Sequence, residues 1–271
     1  MIEFFTKYNN IISFVIALIA LIQPWIIALW RKFLLSPKIE IYPSGNIEIG
    51  YSEYGPTIGL HGTLRAQNGD IFVKRARIRI KRDQTNEEHW FAWVAFRSPA
   101  IRFNPTDNPP MELPSGFIVS HTQPHRYNIV FHDHVIQNEI RSLLEKLNQA
   151  AINIAQEKML SFARDSATWP TIYKGAHDEY SKTTEFRDAF DRLDRHCYWQ
   201  SGKYSLDIHI DTNKGDSKFI KQLAFKLTEE EVRRLRLNRV IMIENPLRAM
   251  AKEQLWKYNF VYPVFEELKA D

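Results

Sequence analysis

Residues 11–30 carry no charged side chain, and Arg31 and Lys32 close the run. A helix needs about 20 apolar residues to cross a hydrocarbon core about 30 Å thick, so this run has the length of one membrane span. Trp25 and Trp30 stand toward its end, where indole rings favour the membrane–water boundary. A cleaved secretory signal would have a shorter apolar region ending in small residues, whereas this run ends Ala28-Leu29-Trp30-Arg31-Lys32. The expectation is a transmembrane helix within residues 1–35 and a domain at the bilayer surface over residues 36–271.

Flanking charge orients the span. Glu3, Lys7 and the α-amino group precede it, and Arg31, Lys32 and Lys38 follow it. Basic residues stay on the cytoplasmic side, which predicts a short N-terminus outside and the large domain inside. The single cysteine, Cys197, agrees, because a secreted domain of this size more often pairs its cysteines.

The span also has a patterned side. At 100° per residue, Ser13, Ala17, Ala20, Pro24 and Ala28 fall in one stripe. Small residues let helix backbones approach closely, which is how membrane helices associate. Pro24 frees the carbonyl of Ala20, and Gln23 is a polar side chain near mid-membrane that wants a partner. A lone kinked anchor explains these residues, and so does a homo-oligomeric bundle. One helix per chain cannot enclose a pore, so a channel would need several copies.

After Pro37 the hydrophobic period changes from 3.6 to 2. Strands are predicted over 38–42, 46–52, 57–66, 71–82, 89–97, 116–120, 127–131, 203–212 and 218–227, with turns at Pro43-Ser44-Gly45 and Gln67-Asn68-Gly69-Asp70. The expected fold is mainly β with α: an immunoglobulin-like antiparallel β-sandwich from residues 36–134 and 200–228. Residues 135–199 form a helical insertion: one long amphipathic helix over 135–164, an aromatic, irregular stretch over 166–182, and a charged helix over 183–196. Residues 229–271 are expected to be C-terminal helices, opened by a Thr228/Glu231 capping box and interrupted at Pro246.

Candidate chemistry is sparse. On the strand over residues 71–82, Phe72, Ala76, Ile78 and Ile80 stand on one face and Val73, Arg75, Arg77, Arg79 and Lys81 on the other. That basic row is a candidate site for a phosphate-bearing ligand or for anionic headgroups. A solvated face whose neighbouring strands supply Asp or Glu is the simpler account. A second basic group, Arg233, Arg234, Arg236 and Arg239, reads as a solvated helix side. The net charge of +4 does not support general nucleic-acid coating.

His121, His125, His132 and His134, with Asp133, lie close in sequence. Imidazoles and a carboxylate can hold Zn²⁺, but the spacing matches no helical H-E-x-x-H site, and surface histidines are the simpler reading. In the aromatic strand, Trp90, Val94 and Phe96 are expected inward and His89, Phe91 and Trp93 outward. Asp207, His209 and Asp211 share another strand face. There is no G-x-S-x-G, P-loop, G-x-G-x-x-G or C-x-x-C. Neither a catalytic residue, nor a metal, nor a cofactor is assigned.

The layout of a tether over residues 11–30 and a sandwich after Pro37 resembles small single-pass membrane effectors of bacterial antiphage systems, such as Hailong and nucleotide-signalling cassettes. The resemblance implies a bacterial inner-membrane location and membrane disruption or ion conduction on activation. The expected function is a self-associating membrane sensor or effector whose cytoplasmic domain binds a ligand or partner. The alternative is a passive anchor or scaffold for a cytoplasmic protein.

Overall fold

The computed structural model describes residues 2–34, 37–85, 87–97, 111–162, 169–213, 218–251 and 253–268. α1 (Ile2–Leu34) is one continuous helix with Pro24 inside it. Over Ser13–Trp30 the mean hydropathy is 2.1 and none of the window is buried. Phe14, Leu21 and Trp25 stand 67%, 69% and 73% exposed. Among the described residues this is the one helix long and apolar enough to cross a membrane. A helix apolar all round must be covered by protein or by lipid, and here no protein covers it.

The strands are β1 (Lys38–Pro43), β2 (Glu48–Ser52), β3 (Gly55–Gln67), β4 (Ile71–Arg82), β5 (Glu88–Arg97), β6 (Met111–Glu112), β7 (Phe117–Val119), β8 (His125–His132), β9 (Gly202–Thr212), β10 (Lys218–Leu227), β11 (Phe260–Val261) and β12 (Phe265–Glu267). All join one sheet in the order β11-β2-β3-β8-β5-β4-β9-β10-β12, with β1 on β3, β6 on β5 and β7 on β4. Every pairing is antiparallel.

Chain length shows that this sheet is curled. Its outermost strands, β11 and β12, are joined by Tyr262-Pro263-Val264 alone, a link that reaches no more than about 14 Å. Laid flat at about 4.8 Å per strand, the same ends would stand roughly 38 Å apart. The sheet therefore bends round into a half-barrel, and β1 comes to lie against β10. Backbone bonds from Ile47 N to Pro263 O (3.2 Å) and from Leu268 N to Gln222 O (3.1 Å) hold the C-terminal strap to both margins.

The immunoglobulin-like sandwich of two facing sheets is thus corrected to a single curled sheet. The cause lies in the two longest strands, which change neighbours along their length. On one edge β3 pairs first with β2 and then with β1, while its other edge holds β8. β4 pairs with both β7 and β5, and also with β9. Ladders handed from one neighbour to the next carry the sheet round the bend instead of letting it split. Inside the curl, Leu60, Leu64, Val73, Phe131, Ile208 and Ile210 leave a void of about 20 Å³, room for about one water. The interior is a packed core, not a ligand cavity.

α2 (His134–Phe162), α3 (Trp169–Tyr180) and α4 (Thr184–His196) connect β8 to β9, and α5 (Glu229–Met250) follows β10. α2 packs on the other three, and α5 lies on β2 and β11. Ile140, Leu143, Leu147, Ala151 and Ile154 of α2 are buried at helical spacing. The layer is pinned to the sheet by specific bonds. Tyr51 Oη donates to Leu193 O at 2.6 Å, and Trp199 Nε1 to Gly50 O at 3.1 Å. Asn238 is fully buried, and its Nδ2 donates to Tyr51 O and Asn259 O, both at 2.8 Å. Thr228 and Glu231 form the reciprocal capping box at the start of α5.

Three elements differ from their sequence reading. The stretch expected to be irregular holds α3, which starts at Trp169-Pro170. Proline is tolerated in a first helical turn, where its missing N–H has no partner to lose. Pro246 does not interrupt α5, which runs on to Met250, and beyond it Ala251 N bonds Leu247 O (3.0 Å). Among the described residues of 229–268 there is one helix followed by the strap β11–β12, not a set of helices.

Strand directions give the barrel two unlike ends. His132, Gly202 and Leu227 lie at one, and all four packed helices connect there. Lys38, Gln67, Ile71, Val119 and Thr212 lie at the other. α1 ends at Leu34 and β1 starts at Lys38, so α1 leaves within about 14 Å of that second end.

Candidate functional site

The basic row is displayed on the outer wall of β4, with a change of parity. A β-bulge between Val73 and Arg75 shifts the register against β9. The extra residue turns Val73 inward, fully buried, and puts Phe72 outward beside the exposed Lys74. Arg75, Arg77, Arg79 and Lys81 keep the outer face.

β9 supplies the counter-charges. Arg75, Arg77, Arg79 and Lys81 lie opposite Asp211, His209, Asp207 and Ser205. Arg75 Nε and Nη2 donate to Asp211 Oδ2 at 3.1 and 3.0 Å, and Arg77 Nη2 reaches the same carboxylate at 3.3 Å. Arg79 Nε donates to Asp207 Oδ2 at 2.9 Å, and its Nη1 lies 3.8 Å from Glu88 Oε2 on β5. Burial pushes the Asp211 carboxyl up, yet the Arg75 and Arg77 guanidiniums outweigh it and hold it below the usual carboxylate value. The Asp207, His209 and Asp211 face and the basic row are therefore two halves of one ion-paired surface.

Trp90 completes it. The indole is 43% exposed and lies opposite Arg79 across the β4–β5 ladder. The guanidinium carbons of Arg77 and Arg79 stand 5.6 and 5.8 Å from its ring centre, within cation–π range. Its Nε1 donates to Glu88 Oε1 at 2.8 Å. The His209 ring sits 5.1 Å away, and burial holds its pKa below the ordinary value. Trp90 outward, with Phe91 and Trp93 buried, reverses the expected facing of this strand. A second bulge, between Trp93 and Ala95, restores Phe96 toward the core.

This surface is not an open cationic strip. Three arginines meet Asp207, Asp211 and Glu88, so a phosphate would have to displace built-in carboxylates. Changing Asp207 and Asp211 together to Asn is expected to create tripolyphosphate binding beyond the native level in a titration. The exposed Arg75–Asp211 pair contributes only about 0.2–1 kcal/mol, and at the buried Asp207 an Asn keeps a side-chain carbonyl to accept from Arg79, so the fold should survive. No gain in affinity would mean that the carboxylates do not set the local charge.

The chain matches no protein-family model, no curated protein and no solved structure.

The remaining candidates disperse. His121 bonds Asp70 (2.7 Å), the His125 ring lies 4.4 Å from Phe117, His132 packs on Tyr54, and His134 bonds Gln137. Among the described residues no group of three or more His, Cys, Asp or Glu side chains is placed to hold a metal ion. Burial pushes the Cys197 thiol up to about 12, which makes it a poor nucleophile. On α5, Arg233 pairs with Glu230, and Arg239 pairs with Asp194 and lies over Phe190.

The sequence did not single out a polar cluster at the helical end. His89 Nε2 is 3.1 Å from Glu87 Oε1, its Nδ1 is 3.8 Å from Asp133 Oδ2, and its ring stacks on Tyr198 at 3.6 Å. Asp133 Oδ1 already accepts from Val135 N (3.1 Å) and Ile136 N (3.3 Å) as the cap of α2. The cluster caps a helix and holds no nucleophile.

On α1, Ser13, Ala17, Ala20, Gln23, Pro24 and Ala28 are all exposed. Gln23 shares its side of the helix with Ile19, Ile22, Ile26 and Ile27, so its amide projects from an otherwise apolar surface.

Proposed function

We propose that this chain is a single-pass protein of the bacterial inner membrane, with its N-terminus outside and the half-barrel and helices in the cytoplasm. It works by binding, as a self-associating sensor or effector. The observation that carries this reading is α1: an 18-residue apolar window with no protein cover and an amide at Gln23 in need of a partner. The tether copies associate along Ser13, Ala17, Ala20, Pro24 and Ala28, with Gln23 bonding between helices. A partner on the cytoplasmic domain then shifts the assembly only by the difference in its affinity for the two states. In the manner of the antiphage effectors whose layout it resembles, the activated assembly would disrupt or conduct across the membrane.

The outer wall of β4, β5 and β9 is the proposed receptor surface. Exposed Trp90, flanked by arginines and carboxylates of both signs, suits a protein partner better than a bare phosphate, because aromatic and arginine side chains anchor protein interfaces. The same patch supports the alternative of a passive scaffold.

Changing Ala17 and Ala20 together to Leu is expected to convert the detergent-solubilised oligomer to monomer, read by cross-linking and light scattering. A native chain that is monomeric, or a variant with unchanged mass, would remove the self-association reading. Dye leakage from cells or liposomes upon overexpression separates effector from scaffold.

A further inference from the structure

We infer that the end of the barrel nearest α1 is a docking surface for anionic lipid headgroups. This inference rests on the reading of α1 as a membrane span. The chain from Leu34 to Lys38 is too short to let that end drift more than about 14 Å from the end of α1. The helical layer is held at the opposite end, so what faces the bilayer is the rim formed by β1, the Gln67–Asp70 turn, the start of β4, and β7.

That rim has the composition of a lipid-facing surface. Phe72 and Ile118 are cross-strand partners pointing outward, 38% and 62% exposed, and Leu113, 86% exposed, stands just before β7. The Phe72 ring is seated over Gly116, where a Cβ would come within 2.4 Å of it, so the ring is fixed in place. Lys38, Lys74 and Arg126 are exposed around the same end with no ion-pair partner among the described residues, while the carboxylate of the turn, Asp70, is met by His121 at 2.7 Å. This contrasts with the arginines on the side wall, which are consumed by Asp207 and Asp211. Apolar side chains ringed by unpaired cations are the combination that holds a surface to an anionic leaflet. Arg31 and Lys32 at the end of the span add charge of the same sign. The occupant is therefore the leaflet into which α1 itself runs.

The test uses the full chain in nanodiscs, with Ile118→Cys carrying an environment-sensitive fluorophore and a quencher on the lipid. Cys197 is buried and is left in place. In phosphatidylcholine mixed with phosphatidylglycerol, the label should shift to the blue and be quenched; in phosphatidylcholine alone both effects should be weak. Changing Lys38, Lys74 and Arg126 together to Gln should lower the docked-to-undocked ratio roughly a hundredfold, at about 1 kcal/mol per cation. A label equally wet in both lipids overturns the inference. So does protection that depends on protein concentration in lipid-free micelles, which would assign the rim to a second copy. A chain that washes off the discs at alkaline pH refutes the span itself, whereas a chain that stays while the label remains wet refutes only the docking.

Discussion

A chain cut after Met250 is expected to lose its cooperative unfolding transition. The missing strap joins the two margins of the sheet, and three separate losses follow. Val261, 1% exposed, takes with it about 1.5–3 kcal/mol of apolar burial. Asn238, fully buried on α5, loses the backbone N–H of Asn259 that donates to its Oδ1 at 2.8 Å and the carbonyl that accepts from its Nδ2 at 2.8 Å. Each orphaned buried group costs about 1–3 kcal/mol. The margins of β2 and β10 also lose the strands that cover them, exposing edges that invite aggregation. Against a total stability of about 5–15 kcal/mol, the sum is large enough to unfold the domain. Asn238→Ala isolates the hydrogen-bond part and should lower the urea midpoint by an amount worth about 2–4 kcal/mol. A truncated chain that melts sharply, near the native temperature, would show that the strap is dispensable.

Mild acid should destabilise the domain. His132, 8% exposed on β8, is driven down to about 4 from 6.5, first by burial and then by the charges of His134 and Arg97. Burial lowers His125, His196 and His209 as well. Above about pH 6.5 these rings are neutral in both states. As the pH falls below that value, the unfolded chain takes up protons that the fold refuses, so stability declines until the folded value is reached. For His132 alone the loss approaches about 3 kcal/mol. Urea melts between pH 7 and pH 4.5 should show it. His132 Nδ1 has no hydrogen-bond partner among the described residues, so His132→Phe can keep the packing on Tyr54 and should flatten the slope. An unchanged slope in that variant would assign the acid sensitivity elsewhere.

Much of the architecture is legible in the residues, for identifiable reasons. The period-2 runs locate β4, β9, β10 and the part of β3 beyond Leu60 because one face there is buried and the other is more exposed, whereas residues 55–60 of β3 are buried on both faces. The Gln67–Asp70 turn is readable because Asn68 (φ 62°) and Gly69 (φ 130°) both need positive φ. What fails is whatever depends on partners far away in sequence. Nothing local says that Asp207 and Asp211 will lie beside Arg79 and Arg75. Both halves of the surface are visible separately, and their register is a property of the sheet. The bulges at Lys74 and Val94 reverse facing over a few residues without any glycine to announce them. The helix α3 hides behind Trp169-Pro170, which reads as a break until it is recognised as a first turn. β11 and β12 are too short for any periodicity, so the closure of the sheet, and with it a single curled sheet in place of two, escapes a reading of strands alone.

The strap also sets an order of events during synthesis. Ile49 on β2 finds its ladder partner at Val261, about two hundred residues later, and contacts of such long range form slowly. The apolar helix α1 precedes every strand in the chain, so it emerges while the barrel is still untranslated, because chains fold from the N-terminal side onward as they are made. The sheet cannot shut until the strap β11–β12 has been made. A nascent chain stalled before Asn259 would therefore have both sheet margins unsealed, open to chaperones and to proteases.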